Sequence, residues 1–454
     1  MRGTTLAFLD KEFIRKFVSI ALPVAMMNLI NFGVKAVDTL MLGLVGEIQL
    51  SGAAVANQLS FVFMLFAGGV ASGCGVMAAQ YWGTGDKERV RKIFTFMYRV
   101  MVFVNIAFAA LAYFAPLFVL GIITTDPEVI AEGAVYLRIM SLGYLVWGFT
   151  NVSTMALRSV GVVKISVVVY SASLAISATL NYLLIFGNFG FPRLGIAGAA
   201  VATVTARFVE FIIITIYILL IEKNFNFRLR SLFGNTAGVS SGFMRHGMPV
   251  LMNEVFWVMG FFLLNVIIGR ISREFVAANA IGGLLIQFAG MILFSFASAA
   301  GVIVGNTIGE GQYQRARQIT KGMVVLNFLT GLFCMAFIQA VRVPFVNFYE
   351  LSDTARAYAF QLTHIISINV IFMSIADGTL MGPLRGGGDA KFVMIADIIF
   401  MWLISIPLGA IGGLLLGWPV WIVFIILRSD SFFKTILVFR RVSGDKWLKD
   451  VTKG

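Results

Sequence analysis

Long apolar runs recur along the whole chain, and they restrict its fold more than any other feature. Each is roughly 20 residues or more, which is enough for a helix to cross about 30 Å of hydrocarbon. We assign twelve runs, at residues 15–44, 49–82, 92–122, 127–158, 163–187, 195–221, 244–270, 276–308, 317–343, 354–384, 391–416 and 418–439. With 59% hydrophobic and 13% charged residues, the chain has too few polar residues to cover a soluble protein of 454 residues. The sequence therefore predicts an all-α polytopic membrane protein with twelve transmembrane helices.

The basic residues alternate between clusters and gaps along the chain. The N-terminus, the loops that follow even-numbered helices and the C-terminal tail hold about 25 of the 35 Lys and Arg residues, against about five in the other loops. Positively charged loops remain on the cytoplasmic side of a membrane. We therefore expect both termini in the cytoplasm, and we attribute the net charge of +13 to topology rather than to nucleic-acid binding.

The C-terminal tail is itself basic. Its cations are Arg440, Arg441, Lys446, Lys449 and Lys453. We expect this tail to be a topology signal that lies on anionic lipid. A partner-binding arm is the alternative.

The chain carries an internal repeat. A shift of 226 residues aligns Gly43 with Gly269, Gly75 with Gly301, Gly83 with Gly309, Gly85 with Gly311 and Arg91 with Arg317. A shift of 227 residues then aligns LRSVGVVK, which begins at Leu157, with LRGGGDAK, which begins at Leu384. Because each unit has an even number of spans, both halves enter the membrane from the same side. The repeat predicts two six-helix bundles related by pseudo-two-fold symmetry along the membrane normal.

The repeat and the polar joint between its halves give four segments. Residues 1–222 form the predicted N-terminal six-helix lobe, and residues 244–441 form the C-terminal lobe. Residues 223–243 are cationic and rich in Ser, Gly and Asn, which is typical of a cytoplasmic linker. Residues 442–454 form a cytoplasmic tail.

Five acidic residues lie deep in the predicted spans, where exposure to lipid costs at least ~2.5 kcal/mol at the helix centre. They are Asp38, Glu210, Glu254, Asp377 and Asp397. Glu210 follows Arg207 by three residues, which favours an ion pair within one helix. Asp38 follows Lys35 by the same spacing, and Asp397 lies only about two turns from Lys391, towards the end of its helix.

Glu254 and Asp377 differ from the other three acids. Neither has a basic residue within one turn of its own helix, and they belong to helices 7 and 10 of the same bundle, where they can converge. A carboxylate in a low dielectric either keeps its proton or stays ionised beside a cation, and each state can bind and release H+ or Na+. We predict that Glu254 and Asp377 couple transport to a cation. A protonated acid that only joins helices is the alternative.

The sequence lacks the motifs of several enzyme classes. His246 and His364 are the only histidines, the two cysteines are far apart, and neither a nucleotide loop nor a serine nucleophile elbow is present. We therefore expect no enzymatic activity and no cofactor other than the coupling ion. The 43 Phe and 21 Met residues suit bulky lipophilic substrates.

Five runs occur in a fixed order and spacing over nearly the whole chain. They are VDTLMLGLVGEIQLSGAAVANQL, the GTGD loop after helix 2, ALRSVGVVK, GIAGAAVAT and ADGTLMGPLRGGGD. Together they resemble the multidrug and toxic compound extrusion (MATE) family, and in detail its NorM-like bacterial branch. The resemblance implies a V-shaped pair of six-helix lobes that exchanges Na+ or H+ for cationic lipophilic drugs by alternating access.

The resemblance also assigns site residues. Asp38 matches the acid of helix 1, while Glu254 and Asp377 match the acids of helices 7 and 10. Some members add an N-lobe ion site, whose positions here correspond to Ser177, Asn181 and Thr203. Asn181 stands where those members have an aspartate, so a charge is missing. We further hypothesise that Lys35 partly neutralises Asp38, which leaves the C-lobe pair as the main coupling site.

Three functions remain open at this stage. A multidrug antiporter in the bacterial inner membrane is favoured, acting as a monomer on small lipophilic cations and in contact with membrane lipid. The runner-up is a flippase for lipid-linked precursors from the same superfamily. A membrane enzyme or a passive channel is the third.

Overall fold

The computed structural model describes residues 11–223, 227 and 229–453. Eleven helices in this part of the chain are long and apolar enough to cross a membrane. They are α1 (Lys11–Gly43), α2 (Glu47–Gly83), α3 (Lys87–Phe114), α4 (Pro127–Ser159), α5 (Lys164–Phe186), α6 (Ile196–Ile221), α7 (Val239–Ile271), α8 (Arg273–Gly309), α9 (Tyr313–Asn347), α10 (Asp353–Leu384) and α11 (Ala390–Leu415). The all-helical polytopic fold expected from the apolar runs is confirmed.

The twelfth predicted span is not one continuous helix. It consists of α12 (Val420–Leu427) and α13 (Asp430–Ser443), with Arg428 and Ser429 at the break. The Ser429 hydroxyl donates to the carbonyl of Ile426 at 2.7 Å, a local bond that competes with the helical pattern. Each piece alone is too short to cross the membrane.

The sequence repeat is also a repeat of local backbone structure. In each aligned pair of turns the glycine has a left-handed φ, a conformation that glycine adopts without steric cost. The values are 78° and 76° at Gly85 and Gly311, and 82° and 84° at Gly161 and Gly388. Corresponding hydrogen bonds close the second pair of turns, from Val162 N to Leu157 O at 2.8 Å and from Asp389 N to Leu384 O at 3.0 Å. The two halves therefore end their fourth helices in the same way.

The chain divides into two compact units. The N-unit comprises Leu22–Ala78 and Asp86–Phe243, and the C-unit comprises Met1–Ala21, Ala79–Gly85 and Met244–Gly454. In this division the described residues 11–21 and 79–85 group with the C-terminal half. The four segments predicted from the sequence stay a prediction. In the N-unit, α4 packs against both α3 and α6. In the C-unit, α10 packs against α8, α9 and α13, so this helix is the centre of the unit.

The predicted linker, residues 223–243, contains positions 224–226 and 228, which lie outside the described residues. Its described part is held against α3 in the N-unit. The Arg99 guanidinium donates to the carbonyls of Leu232 and Gly234, at 2.7 and 2.6 Å. The Thr95 hydroxyl donates to the carbonyl of Ser231 at 3.2 Å.

The C-terminal tail is folded into the C-unit, and its contact with anionic lipid stays a prediction. Trp447 is fully buried at 0% exposure. The side chain of Gln80, near the end of α2, bonds the tail backbone twice. Its amide donates to Lys449 O at 3.1 Å, and its carbonyl accepts from Val451 N at 2.8 Å. These bonds fix the tail against the same unit that contains its preceding helix.

Acidic residues of the C-unit form ion pairs with cations of the tail. Buried Asp389, in the turn after α10, pairs with Arg441 at 2.7 Å and with Lys449 at 2.6 Å. Lys453 pairs with Asp450 at 3.1 Å. Although partial burial alone would raise the pKa of the Asp450 carboxyl, hydrogen bonds from Thr452, Tyr313 and Lys453 hold it below its usual range. Three of the five cations of the tail, Arg441, Lys449 and Lys453, thus pair with carboxylates within the protein.

We predict that Trp447→Ala lowers the free energy of unfolding by about 3–5 kcal/mol, because it leaves a cavity where a fully buried indole packs. Thermal unfolding of the purified protein in detergent measures the effect. The exposed neighbour Lys446→Ala is the matched control and should leave the melting temperature unchanged. Equal melting temperatures for the two variants would contradict the buried position of the tail.

Candidate functional site

Several charged side chains of the C-unit lie close together. They come from α7, α10, α11 and α13. Lys434, on α13, is only 1% exposed. Its Nζ lies 2.5 Å from Asp397 Oδ1 and 2.8 Å from Asp430 Oδ2. The amide of Asn253 on α7 donates to Asp397 Oδ2 at 2.8 Å. We call Asp377, Asp397, Asp430 and Lys434 the C-unit cluster.

Asp377, one of the two predicted coupling residues, lies half-buried on the central helix α10. The charges that act on its carboxyl belong to Lys434, Asp397, Asp430 and Arg385. No hydrogen bond or ion pair joins its side chain to another of the residues that the structure describes. In a low dielectric such a carboxylate needs a proton or a cation beside it. Asp377 is therefore the member of the cluster available to an exchangeable ion.

Glu254, the other predicted coupling residue, is paired with a base from another helix. Arg385, at the end of α10, places Nη1 2.8 Å from Glu254 Oε1. The Nε and Nη2 groups of Arg385 are buried without a hydrogen-bond partner among the described residues. Arg385 therefore pairs with one of the two predicted acids, Glu254, and its positive charge also acts on the other, Asp377.

In the N-unit, the residues assigned by resemblance lie together around Asp38. The carboxylate accepts hydrogen bonds from Ser177 Oγ, at 3.3 Å, and from the Asn181 amide. The Oδ1 of Asn181 and the Oγ1 of Thr203 are buried and have no hydrogen-bond partner among the described residues. Oxygen donors of these types suit hard cations, and the unpartnered oxygens fit an ion such as Na+. The Tyr136 hydroxyl is a further oxygen that lies beside Thr203.

The hypothesised pairing of Lys35 with Asp38 is not seen. No ion pair joins them within the described part of the chain, and Lys35 is exposed on α1. The base that acts on Asp38 is Arg207. A spacing of three residues places two side chains on one face of a helix, but it does not decide whether they point at each other. The predicted contribution of Lys35 to an N-lobe site therefore stays a prediction without a supporting contact.

Arg207 forms the pair expected within α6. Its Nη1 lies 2.7 Å from Oε1 of Glu210, which is fully buried. The guanidinium also lies over the Trp147 ring, 4.3 Å from its centroid. Glu210 is thus a structural partner that fixes a cation near Asp38.

Sequence reasoning missed the charges of the broken twelfth segment. The run 418–439, assigned as an apolar span, contains three of these charged residues, Arg428, Asp430 and Lys434. The spacing of four between Asp430 and Lys434, typical of a helical ion pair, was the signal that could have shown them. Asp397 had a lower rank because it lies only about two turns from Lys391, and its partner Lys434 lies on another helix.

The C-unit also holds a cavity of about 300 Å³ beside the break. Its walls are mainly apolar and include three phenyl rings, from Phe372, Phe432 and Phe433. Arg428 is its one basic lining residue within the described part of the chain. A cavity of this composition fits an amphiphile better than a small ion.

Comparisons with known proteins agree with this architecture. The MatE family model matches residues 23–183 and 249–411. A probable multidrug resistance protein NorM from Thermotoga maritima is 24% identical over 96% of this chain and 94% of its own length. A protein of the same name from Bacillus cereus is 26% identical over 97% and 98%. The solved structure of a multidrug resistance MATE family transporter in an outward-facing conformation superimposes with a TM-score of 0.83 at 16% identity, covering 97% and 96% of the two chains.

We predict that Arg207→Met destabilises the protein by about 3–5 kcal/mol, because it leaves the buried Glu210 carboxylate without its partner. The double variant Arg207→Met with Glu210→Gln removes both charges and should recover most of the loss. Melting temperatures of the three purified proteins test this. A double variant as unstable as the single one would contradict the pairing.

Proposed function

The chain belongs to the MATE family of membrane transporters, and from this premise we propose that it exports lipophilic organic cations in exchange for Na+ or H+. Family membership makes it a NorM-like multidrug transporter and not an enzyme. The observation that carries the proposal is Asp377, a half-buried carboxylate without a committed partner on the central helix of the C-unit.

Exchange follows from the charge that Asp377 can hold. One carboxylate in a low dielectric is neutralised by one monovalent cation at a time, whether that cation is H+, Na+ or the positive group of a drug. A drug that binds at Asp377 must displace the ion, and an ion that binds must displace the drug. The fixed charges of Lys434, Asp397 and Arg385 around it remain within the protein. Coupling is then a matter of competition for one negative charge.

Glu254 has a supporting part in this scheme. Its pairing with Arg385 at 2.8 Å keeps that guanidinium from neutralising Asp377 completely. If Glu254 loses its charge, Arg385 becomes free to pair with Asp377 and to compete with the drug. Both acids are therefore required, although only Asp377 takes the exchanged cation directly.

The oxygen donors around Asp38 in the N-unit are a second ion position. Asn181 supplies an amide where a second carboxylate would bind a metal ion more tightly. We therefore assign the main coupling role to the C-unit, and a weaker contribution to Asp38, Ser177, Asn181 and Thr203.

The chain is a multi-pass membrane protein, and its curated relatives are bacterial. We propose the bacterial inner membrane as its location, with both termini in the cytoplasm, as the distribution of basic residues indicates. We also propose that it acts as a monomer, since each coupling position is built from residues of one unit of one chain.

A flippase for lipid-linked precursors is the second candidate function. One observation favours it, namely the apolar cavity lined by Arg428 and phenyl rings in the C-unit. A guanidinium there suits an anionic headgroup better than a cationic drug. Liposomes containing the purified protein distinguish the two candidates. Ethidium movement without movement of labelled lipid supports the antiporter, and the reverse supports the flippase.

We predict that Asp377→Asn and Glu254→Gln each lower ion-coupled ethidium efflux about tenfold or more. An amide at position 377 cannot exchange one cation for another, and an amide at position 254 frees Arg385 to pair with Asp377. Efflux is measured in energised membrane vesicles, with Na+ and pH gradients imposed separately. Exposed Glu128→Gln is the control and should transport normally, and immunoblots confirm equal insertion. Normal coupling in both site variants would contradict the proposed site.

A further inference from the structure

We propose that the ammonium group of Lys434 is a tethered cation that fills the position a free Na+ would need between Asp397 and Asp430 in the C-unit cluster, and so excludes Na+ from that position. The inference rests on the proposed function and deepens it, because it assigns ion selectivity to one residue. No comparison with a relative enters the argument. It depends on the contacts of Lys434, a charged residue in a segment whose sequence is otherwise mainly apolar.

The geometry places Lys434 between acids from two helices. Its Nζ lies 2.5 Å from the Asp397 carboxylate and 2.8 Å from the Asp430 carboxylate. A hard cation needs carboxylate oxygens at comparable distances, about 2.3–2.6 Å for Ca²⁺. The other oxygen of Asp397 is occupied by the Asn253 amide. The space where these two carboxylates converge is therefore already taken by a positive group.

The charge balance around the cluster supports the same conclusion. The acids in this region of the C-unit are Glu254, Asp377, Asp397 and Asp430, and the bases are Arg385, Arg428 and Lys434. Four acids and three bases leave one negative charge when all are ionised, which matches the single uncommitted carboxylate of Asp377. Without Lys434 two negative charges would remain, and the region would need a further cation.

A tethered ammonium has an advantage over a dissolved ion. Lys434 is 1% exposed, and it lies one turn after Asp430 on the same helix, so the pair is formed whenever α13 is folded. A free Na+ would have to lose its water and its translational freedom to enter the same space. Replacement of Lys434 by a neutral residue removes the competitor and leaves the carboxylates facing each other.

The test measures Na+ binding and not transport. All proteins carry Asp38→Asn and Asp377→Asn, so that neither the N-unit position nor the uncommitted carboxylate of the C-unit contributes. The melting temperature of each purified protein is measured in detergent with NaCl and with choline chloride at equal ionic strength. With Lys434 present we expect no difference between the two salts. With Lys434→Gln we expect a saturable rise of about 1–2 °C at a Na+ concentration roughly tenfold above the dissociation constant.

Two further variants control for charge and folding. Lys434→Arg keeps the positive charge and should show no response to Na+. If Lys434→Gln is too unstable to purify, Lys434→Met is the second neutral variant, and it should also respond to Na+. A response with Lys434 intact that Asp397→Asn abolishes would overturn the proposal, and so would an absent response in every folded protein that lacks Lys434.

The outcome of this experiment does not depend on whether the proposed function is correct. Because the readout is stabilisation by Na+, a protein that exports no drug can still give the expected result. Loss of ethidium efflux under all gradients would reject the antiporter and leave the assignment of Lys434 intact. A Na+ response with Lys434 present would reject the assignment and leave drug efflux unaffected.

Discussion

A charge inside a membrane protein persists only where another charge, a proton or a bound ion matches it, because isolated ions are costly in a low dielectric. The C-unit depends on this constraint. Lys434 and its two carboxylate partners join α11 to α13, and Arg385 joins α10 to Glu254 on α7. These ion pairs hold together the helices near Asp377. Asp377 and the residues that position it therefore belong to one group of charged side chains. Under the proposed function, the uncommitted carboxylate in this scaffold is the site of exchange.

The duplication has become asymmetric at this site. The position that corresponds to Asp377 in the first half is Thr150, which is buried and uncharged. Asp389, which holds the tail through Arg441 and Lys449, corresponds to Val162. The two halves share turns and helix ends, but the second half alone carries the acidic residues at both positions. Gene duplication accounts for the shared helices and turns, and the charged residues of one half account for the candidate site.

Much of the fold could be predicted from the sequence, because apolar length and glycine turns are local properties. The glycines at 161 and 388 give the same turn wherever they occur. The site was less predictable, since its pairs join distant parts of the chain. Nothing local indicates that Lys434 would contact Asp397, or that Arg385 would contact Glu254. The contacts of the tail could not be predicted for the same reason, because its partners lie on α2 and in the turn after α10.

The central claim is that drug and coupling ion compete for the negative charge of Asp377. Calorimetry of drug binding to the purified protein, in buffers of different ionisation enthalpy and with Na+ present or absent, tests it most directly. The account predicts that about one cation is released for each drug bound, by linkage between the two equilibria, and that Asp377→Asn releases none. Drug binding with no release of H+ or Na+ by the unmodified protein would contradict it.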